Sequence, residues 1–167
     1  MQRAIEYIVF FVVVVLLQAL LFDNMMFSGL VVPLYYVVFV LLLPVKMERL
    51  WLLVLGVVMG MTMDVSMGTA GLNTIATTAI AFLRPLAMNI SMGKDAVHES
   101  IPYGGAVSNN SFVTYAAMLI VIHNSLFFGF ESLGSHFFYT LGRIVASSAV
   151  TLGLTLITAR LFRKIVA

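Results

Sequence analysis

The sequence predicts an all-α integral membrane protein, a compact bundle of about six transmembrane helices that forms a single domain over residues 1–167. Its composition is 62% apolar and 10% charged, whereas about a quarter of the residues in a soluble domain are charged. Runs such as Tyr7–Phe22 and Val31–Leu43 offer no polar face to water. A length of 167 residues suits one bundle rather than two domains.

Apolar segments separated by polar turns define the individual helices. A bilayer core about 30 Å thick needs roughly 20 helical residues, with about 17–25 the usual range. The predicted spans are Ala4–Phe22, Leu30–Leu43, Leu50 to about Met63 or Ser66, Leu72–Ile90, Ser111–Phe130 and Phe137–Ala159. The second and third are short, so thinning of the bilayer or burial against neighbouring helices has to compensate. Residues 91–110 form the longest polar loop.

The distribution of Lys and Arg predicts the orientation, because these residues are enriched in short cytoplasmic loops. With six spans and the N-terminus inside, seven of the nine cations fall on the inner side. They are Arg3, Lys46, Arg49, Lys94, Arg160, Arg163 and Lys164. Both termini are therefore expected to be cytoplasmic. The first segment is expected to be retained, because no small-residue cleavage site follows it.

The stretch from Gly56 to Pro85 places charges within apolar sequence, where each charge is costly and marks a candidate functional site. Asp64 ends an outgoing helix, and Arg143 lies early in the returning sixth helix with Glu131 at a similar depth. We therefore expect a structural polar cluster of Asp64, Arg143 and Glu131 in the outer leaflet, since pairing lowers the penalty of burial.

Arg84 and Pro85 mark a kink in the inner half of the fourth segment. Proline has no N–H, so it frees the carbonyl four residues earlier and bends the helix. Arg84 is expected to lie apart from the outer cluster, nearer Glu6 or Glu48, and to extend from the kink towards the inner headgroups. A structural and a functional role for this pair are both open.

Gly56 and Gly60 have the small-xxx-small spacing that lets two helices touch backbone to backbone. Packing inside the bundle is the favoured interpretation, and packing against a partner subunit is the alternative. Gly68 and Gly71 follow in the next turn and join them as candidates for helix packing or a partner interface.

His123 and Asn124 lie inside the fifth segment, where interhelical hydrogen bonding is favoured over a proton relay or a solute ligand. Met59, Met63 and Met67 recur every four residues, and we favour gap-filling by methionine over a copper path. The sequence has no cysteine and no arrangement of residues suited to catalysis. No enzymatic activity, metal or cofactor is expected.

A longer pattern joins several of these positions: G-x-x-x-D-x-x-x-G-x-x-G runs into an alanine-rich helix that ends F-L-R-P. Its residues are Gly60, Asp64, Gly68, Gly71, Ala76, Ala81, Phe82, Leu83, Arg84 and Pro85. Further agreement comes from His123, Phe127, Phe128 and Glu131, and from Leu141, Gly142, Arg143 and Ile144. Over almost its whole length the chain resembles the rod shape-determining protein MreD family.

The resemblance implies a non-enzymatic component of the cell-wall elongation (rod) complex in the bacterial inner membrane. Such a protein would bind the single-pass MreC and act with the RodA glycosyltransferase, its transpeptidase and the MreB filament system. The fold is expected to be similar to the substrate-binding subunits of energy-coupling-factor transporters. Membrane lipid and a second copy of the chain are the other partners considered, and no nucleic-acid partner is expected.

A small-molecule binding subunit of a membrane transporter is the alternative function. It would need a cavity that opens to one face and is lined by several convergent polar groups. The candidates for that lining are His123, Asn124, Asn73, Tyr115 and Asp64. A filled interior with an exposed face of small residues would instead favour the scaffold.

Overall fold

The computed structural model describes residues 2–23, 31–93, 102–103, 107–132 and 136–166, and the side chains from residue 5 to residue 162 within those ranges. These ranges hold helix α1 (Gln2–Leu17) with a π-helical extension (Gln18–Phe22), α2 (Val37–Leu42), α3 (Arg49–Met67), α4 (Leu72–Met92), α5 (Asn109–Ser132) and α6 (Phe137–Val166). Most of the predicted 91–110 loop lies outside the described residues. The side chains of Arg3, Lys94, Arg163 and Lys164 also lie outside them.

Five of these helices are long and apolar enough to cross a membrane, which makes the chain a multi-pass membrane protein by length and composition. The exception is α2, which has only six helical residues. The expected second span, Leu30–Leu43, is therefore wrong as a continuous helix. Pro33 precedes the helix, and a six-residue helix is only about 9 Å long.

Helix α2 lies at the centre of the bundle, because it contacts each of the other five helices. Every residue from Leu34 to Leu43 is buried. Around it, α3 packs on α4, α4 on α5 and α5 on α6. Helix α1 completes the ring: Phe10 stacks at 4.4 Å between ring centroids on Phe162 of α6. The short segment is thus shielded from lipid by protein, as irregular backbone at membrane depth must be.

The buried segment runs alongside α4 through the interior. Tyr36, just before α2, contacts Asn73 near the start of α4. Leu43, just after α2, contacts Arg84, eleven residues further along α4, or about 16 Å at 1.5 Å per residue. The segment therefore connects the two ends of the bundle interior, although only part of it is helical.

Candidate functional site

Arg84 stabilises the end of α2 from inside the bundle. Its side chain is 1% exposed. The guanidinium donates to the carbonyl oxygen of Leu43, to that of Pro44 at 3.2 Å, and to the hydroxyl of Tyr115 at 2.9 Å. The Tyr115 hydroxyl in turn donates to the carbonyl oxygen of Leu41 at 3.1 Å. Because the last carbonyls of a helix have no donor within it, Arg84 and Tyr115 together cap α2.

The structure overturns the expectation that Arg84 extends towards the headgroups, since its side chain is buried. Its partners are the backbone oxygens beyond α2 and a tyrosine. A planar guanidinium has five N–H donors, so it can satisfy several carbonyls that a helix as short as α2 leaves free. A cation also suits the negative end of a helix. Pro85 lies inside α4, one residue after this arginine.

Gln18 holds the other end of the buried segment. Its amide nitrogen donates to the carbonyl oxygen of Pro33 at 3.1 Å, and its oxygen accepts the Tyr36 N–H at 3.2 Å. The same amide nitrogen donates to Asp23 at 2.8 Å. Burial raises the pKa of Asp23, and the bond from Gln18 opposes that rise. Gln18 is fully buried in the π-helical turn and was not singled out in the sequence.

A hydrogen-bonded chain crosses the interior beside Tyr36. The Tyr36 hydroxyl donates to Asn73 Oδ1 at 2.5 Å and lies 3.1 Å from His123 Nε2. His123 Nδ1 is 3.4 Å from Asn124 Oδ1, and Asn124 Nδ2 donates to Ser148 of α6 at 2.9 Å. Since Asn73 belongs to α4 and both His123 and Asn124 to α5, these groups tie α2, α4, α5 and α6 together.

Asp64 organises the turn between α3 and α4. Its carboxylate accepts the backbone N–H of Asn73 at 3.0 Å and that of Thr74 at 2.9 Å. The hydroxyls of Thr69 and Thr74 each donate to it at 2.5 Å. Asn73 and Thr74 are in the first turn of α4, where N–H groups lack intrahelical partners and a negative charge is favourable. Asp64 therefore caps the helix that follows its own.

The predicted ion pair between Asp64 and Arg143 is wrong. Arg143 Nη1 instead lies 2.6 Å from Glu131 Oε2, and its guanidinium carbon lies 4.4 Å from the ring centroid of Phe128. Asp64 is at the end of α3, whereas α6 packs mainly on α5. Similar depth did not bring the two charges together, because depth does not specify which helices are neighbours. Of the expected cluster, the structure contains the pair of Arg143 and Glu131.

The four glycines divide into two kinds. A Cβ atom on Gly56 would lie 2.8 Å from the Ala81 Cβ, and one on Gly60 would lie 2.9 Å from the Asn73 carbonyl oxygen. These two allow α3 and α4 to touch within the chain. Gly68 and Gly71 instead have φ of 66° and 88°, a left-handed conformation that glycine adopts most easily. They are turn residues and do not pack helices together, so the expectation that all four glycines serve helix packing is wrong for these two.

The methionines that suggested a copper path lie in the core. Met59 and Met63 are fully buried, and the Met67 sulfur accepts a bond from Asn73 Nδ2 at 3.5 Å. Within the described part of the chain, no group of three or more His, Asp or Glu side chains is placed to hold a metal ion.

Sequence reasoning missed two buried polar residues that carry no charge, Gln18 and Tyr36. They lie in or beside apolar runs, and both hold the start of α2. Each is an isolated polar side chain within apolar sequence, and such a group needs a partner when it is buried. That signal was present in the sequence, but it does not say which backbone groups the partner would be.

The fold and these contacts define the class: a multi-pass helical membrane protein whose interior polar groups hold a short, buried helix. No protein-family model matches the chain, and no curated protein or solved structure matches it either.

Proposed function

We propose that this chain is a non-enzymatic membrane component of the bacterial cell-wall elongation (rod) complex, and that it supports cell shape by binding MreC and its partners. The proposal starts from the resemblance to the MreD family between Gly60 and Pro85. In this proposal the chain lies in the inner membrane with both termini in the cytoplasm. The RodA glycosyltransferase, its transpeptidase and the MreB filament system are the further partners.

The hydrogen bonding among the interior polar residues is the observation that supports this proposal over a solute-binding subunit. The polar residues that a solute site would need are already hydrogen-bonded within the bundle. Asn73 and His123 bond to Tyr36, and Asn124 bonds to Ser148. Tyr115 bonds to Arg84 and to α2. Three grooves among the described residues are lined by different side chains, most of which are apolar. A scaffold needs such a fixed interior, because its surface has to keep one shape.

The outward face of α6 supports binding of a partner helix. Gly142, Ala146, Ala149 and Gly153 recur at intervals of three or four residues and so share one face. Ala149 and Gly153 are exposed, and a Cβ atom added at Gly142 or Gly153 would meet nothing within 4 Å. Small residues let a second transmembrane helix approach closely, which suits a single-pass partner such as MreC.

Depletion of the protein combined with co-purification from native membranes tests the proposal. We expect depleted cells to become round and wall-synthesis proteins, MreC among them, to co-elute with the chain. Unchanged cell shape together with the loss of uptake of one nutrient would contradict the scaffold and support the transporter subunit.

A pair of variants connects this test to the structure. Gly153→Leu places a large side chain on the outward face of α6, whereas Ile157→Leu changes an exposed residue nearby without changing its size much. We expect Gly153→Leu to reduce co-elution of MreC and Ile157→Leu to leave it unchanged. Equal co-elution of MreC with both variants would show that the outward face of α6 does not bind MreC.

A further inference from the structure

A groove of about 270 Å³ lies between α3 and α4, next to the point where these helices touch. Gly56 and Gly60 bring the two helices into contact. Nearer the start of α3, the side chains of Leu52 and Leu53 line the groove. On the opposite side, the walls are residues 81–83, 85 and 86 of α4. The groove is therefore lined mainly by apolar side chains of α3 and α4.

One charged residue, Arg49, lines this groove. It is the first residue of α3 and is exposed. It has no ion pair or hydrogen-bonded side-chain partner among the described residues, in contrast to Arg84 and Arg143. The exposed side chain of Trp51 lies two residues further on, and tryptophan is enriched where headgroups meet hydrocarbon. From the neighbouring tryptophan we infer that this cation lies at headgroup level, at one end of the apolar groove.

We propose that this groove binds one anionic phospholipid, with the lipid phosphate on Arg49 and one acyl chain along Leu52, Leu53 and the facing wall of α4. Charge complementarity selects the headgroup, because a basic residue between membrane helices attracts anionic lipids. In the proposed orientation Arg49 faces the cytoplasmic leaflet. The larger groove of about 400 Å³ between α1 and α3 has a wholly uncharged lining, so nothing there selects a headgroup.

Native mass spectrometry of the purified chain in detergent tests the proposal with added phosphatidylglycerol or phosphatidylcholine. We expect one retained phosphatidylglycerol, bound about fivefold more tightly than phosphatidylcholine, as one cation near the membrane surface provides. Arg49→Gln should abolish this preference. Lys46→Gln, which removes a nearby exposed cation that does not line the groove, should leave it intact.

The apolar part of the site has its own matched pair. Leu53→Trp fills the groove and should reduce retention of phosphatidylglycerol, whereas Leu50→Trp changes an exposed residue outside it and should not. Equal loss in Arg49→Gln and Lys46→Gln would overturn the proposal, since it would indicate general attraction. Displacement of the lipid by millimolar inorganic phosphate would overturn it too, because the site would then recognise a free anion. Unchanged melting temperatures of the lipid-free variants establish that each is folded.

Discussion

Arg84 and Arg143 both interrupt apolar helices, yet the protein stabilises them in different ways. Arg84 is 1% exposed and its partners are neutral: two backbone carbonyls and the hydroxyl of Tyr115. Arg143 is nearer the surface, with its side chain 17% exposed, and pairs with Glu131, which is 40% exposed. The more deeply buried arginine has no carboxylate partner in the described part of the chain, whereas the more exposed one has.

The difference shows how this bundle accommodates charge at depth. Arg84 lies at the carbonyl end of α2, and Asp64 lies at the N–H end of α4. Each charge has the sign that its helix end favours. The free N–H and carbonyl groups at helix ends need partners inside a bilayer. Here one buried charge provides partners for several of these groups at once. The interior arginine should therefore matter far more for folding than the one at the rim.

The largest effect is expected from Arg84→Met. The substitution keeps much of the side chain's apolar length but leaves the carbonyls of Leu43 and Pro44 without their donor. Each buried unsatisfied group costs about 1–3 kcal/mol, so we expect a loss of about 3–5 kcal/mol in the free energy of unfolding. Unfolding in mixed micelles of increasing SDS content, followed by circular dichroism, measures it.

Arg143→Met is the matched control for this substitution. An exposed ion pair contributes about 0–1 kcal/mol, and the apolar stem is retained. If Arg143→Met were as damaging as Arg84→Met, capping of α2 could not be the main role of the interior arginine. Arg84→Lys gives a further check: a lysine has the charge but lacks the fork of donors, and it should restore only part of the stability.

The second comparison is between two glycines, one inside and one outside. A Cβ on Gly60 would press on the backbone of Asn73 and Thr74, whereas a Cβ on Gly153 would meet nothing within 4 Å. We expect Gly60→Ala to cost about 1–3 kcal/mol through overpacking and Gly153→Ala to be neutral or slightly stabilising, since alanine favours helix. Melting temperatures in detergent measure both; a neutral Gly60→Ala would mean that α3 and α4 can separate at no cost.

The sequence could predict what depends on local composition. The apolar runs indicated the five long spans, because hydrophobic length alone decides whether a helix can cross a bilayer. They could not show that α2 is short, since Leu34 to Leu43 are as apolar as a span and differ only in being enclosed by the other helices. Likewise Asp64 was recognised as costly at depth, but its partners are backbone N–H groups. Backbone donors leave no pattern in a sequence.

Gln18→Leu tests whether the start of the buried segment depends on Gln18 in the way that its end depends on Arg84. The variant leaves the Tyr36 N–H and the Pro33 carbonyl without their partner in the interior. We expect a loss of about 2 kcal/mol in the free energy of unfolding, less than for Arg84 because no charge is involved. Asp23→Ala removes only the outermost contact of Gln18 and should cost less than half as much. A larger loss of stability in Asp23→Ala than in Gln18→Leu would mean that Asp23, and not Gln18, holds the start of the segment.

The smallest effect, and the sharpest test of the surface pair, is a difference between two double-mutant cycles. In the first cycle, Arg143→Gln is combined with Glu131→Gln; the two side chains touch, so we expect a coupling of about 0.5–1 kcal/mol that falls with added salt. In the second, Arg143→Gln is combined with Asp64→Asn, and the coupling should be below about 0.5 kcal/mol because separated sites act additively. A coupling in the second cycle as large as in the first would mean that the Asp64 carboxylate does interact with Arg143 in the membrane. If only the first cycle shows coupling, Arg143 is held by Glu131 of α5, and Asp64 has no part in fixing the position of α6.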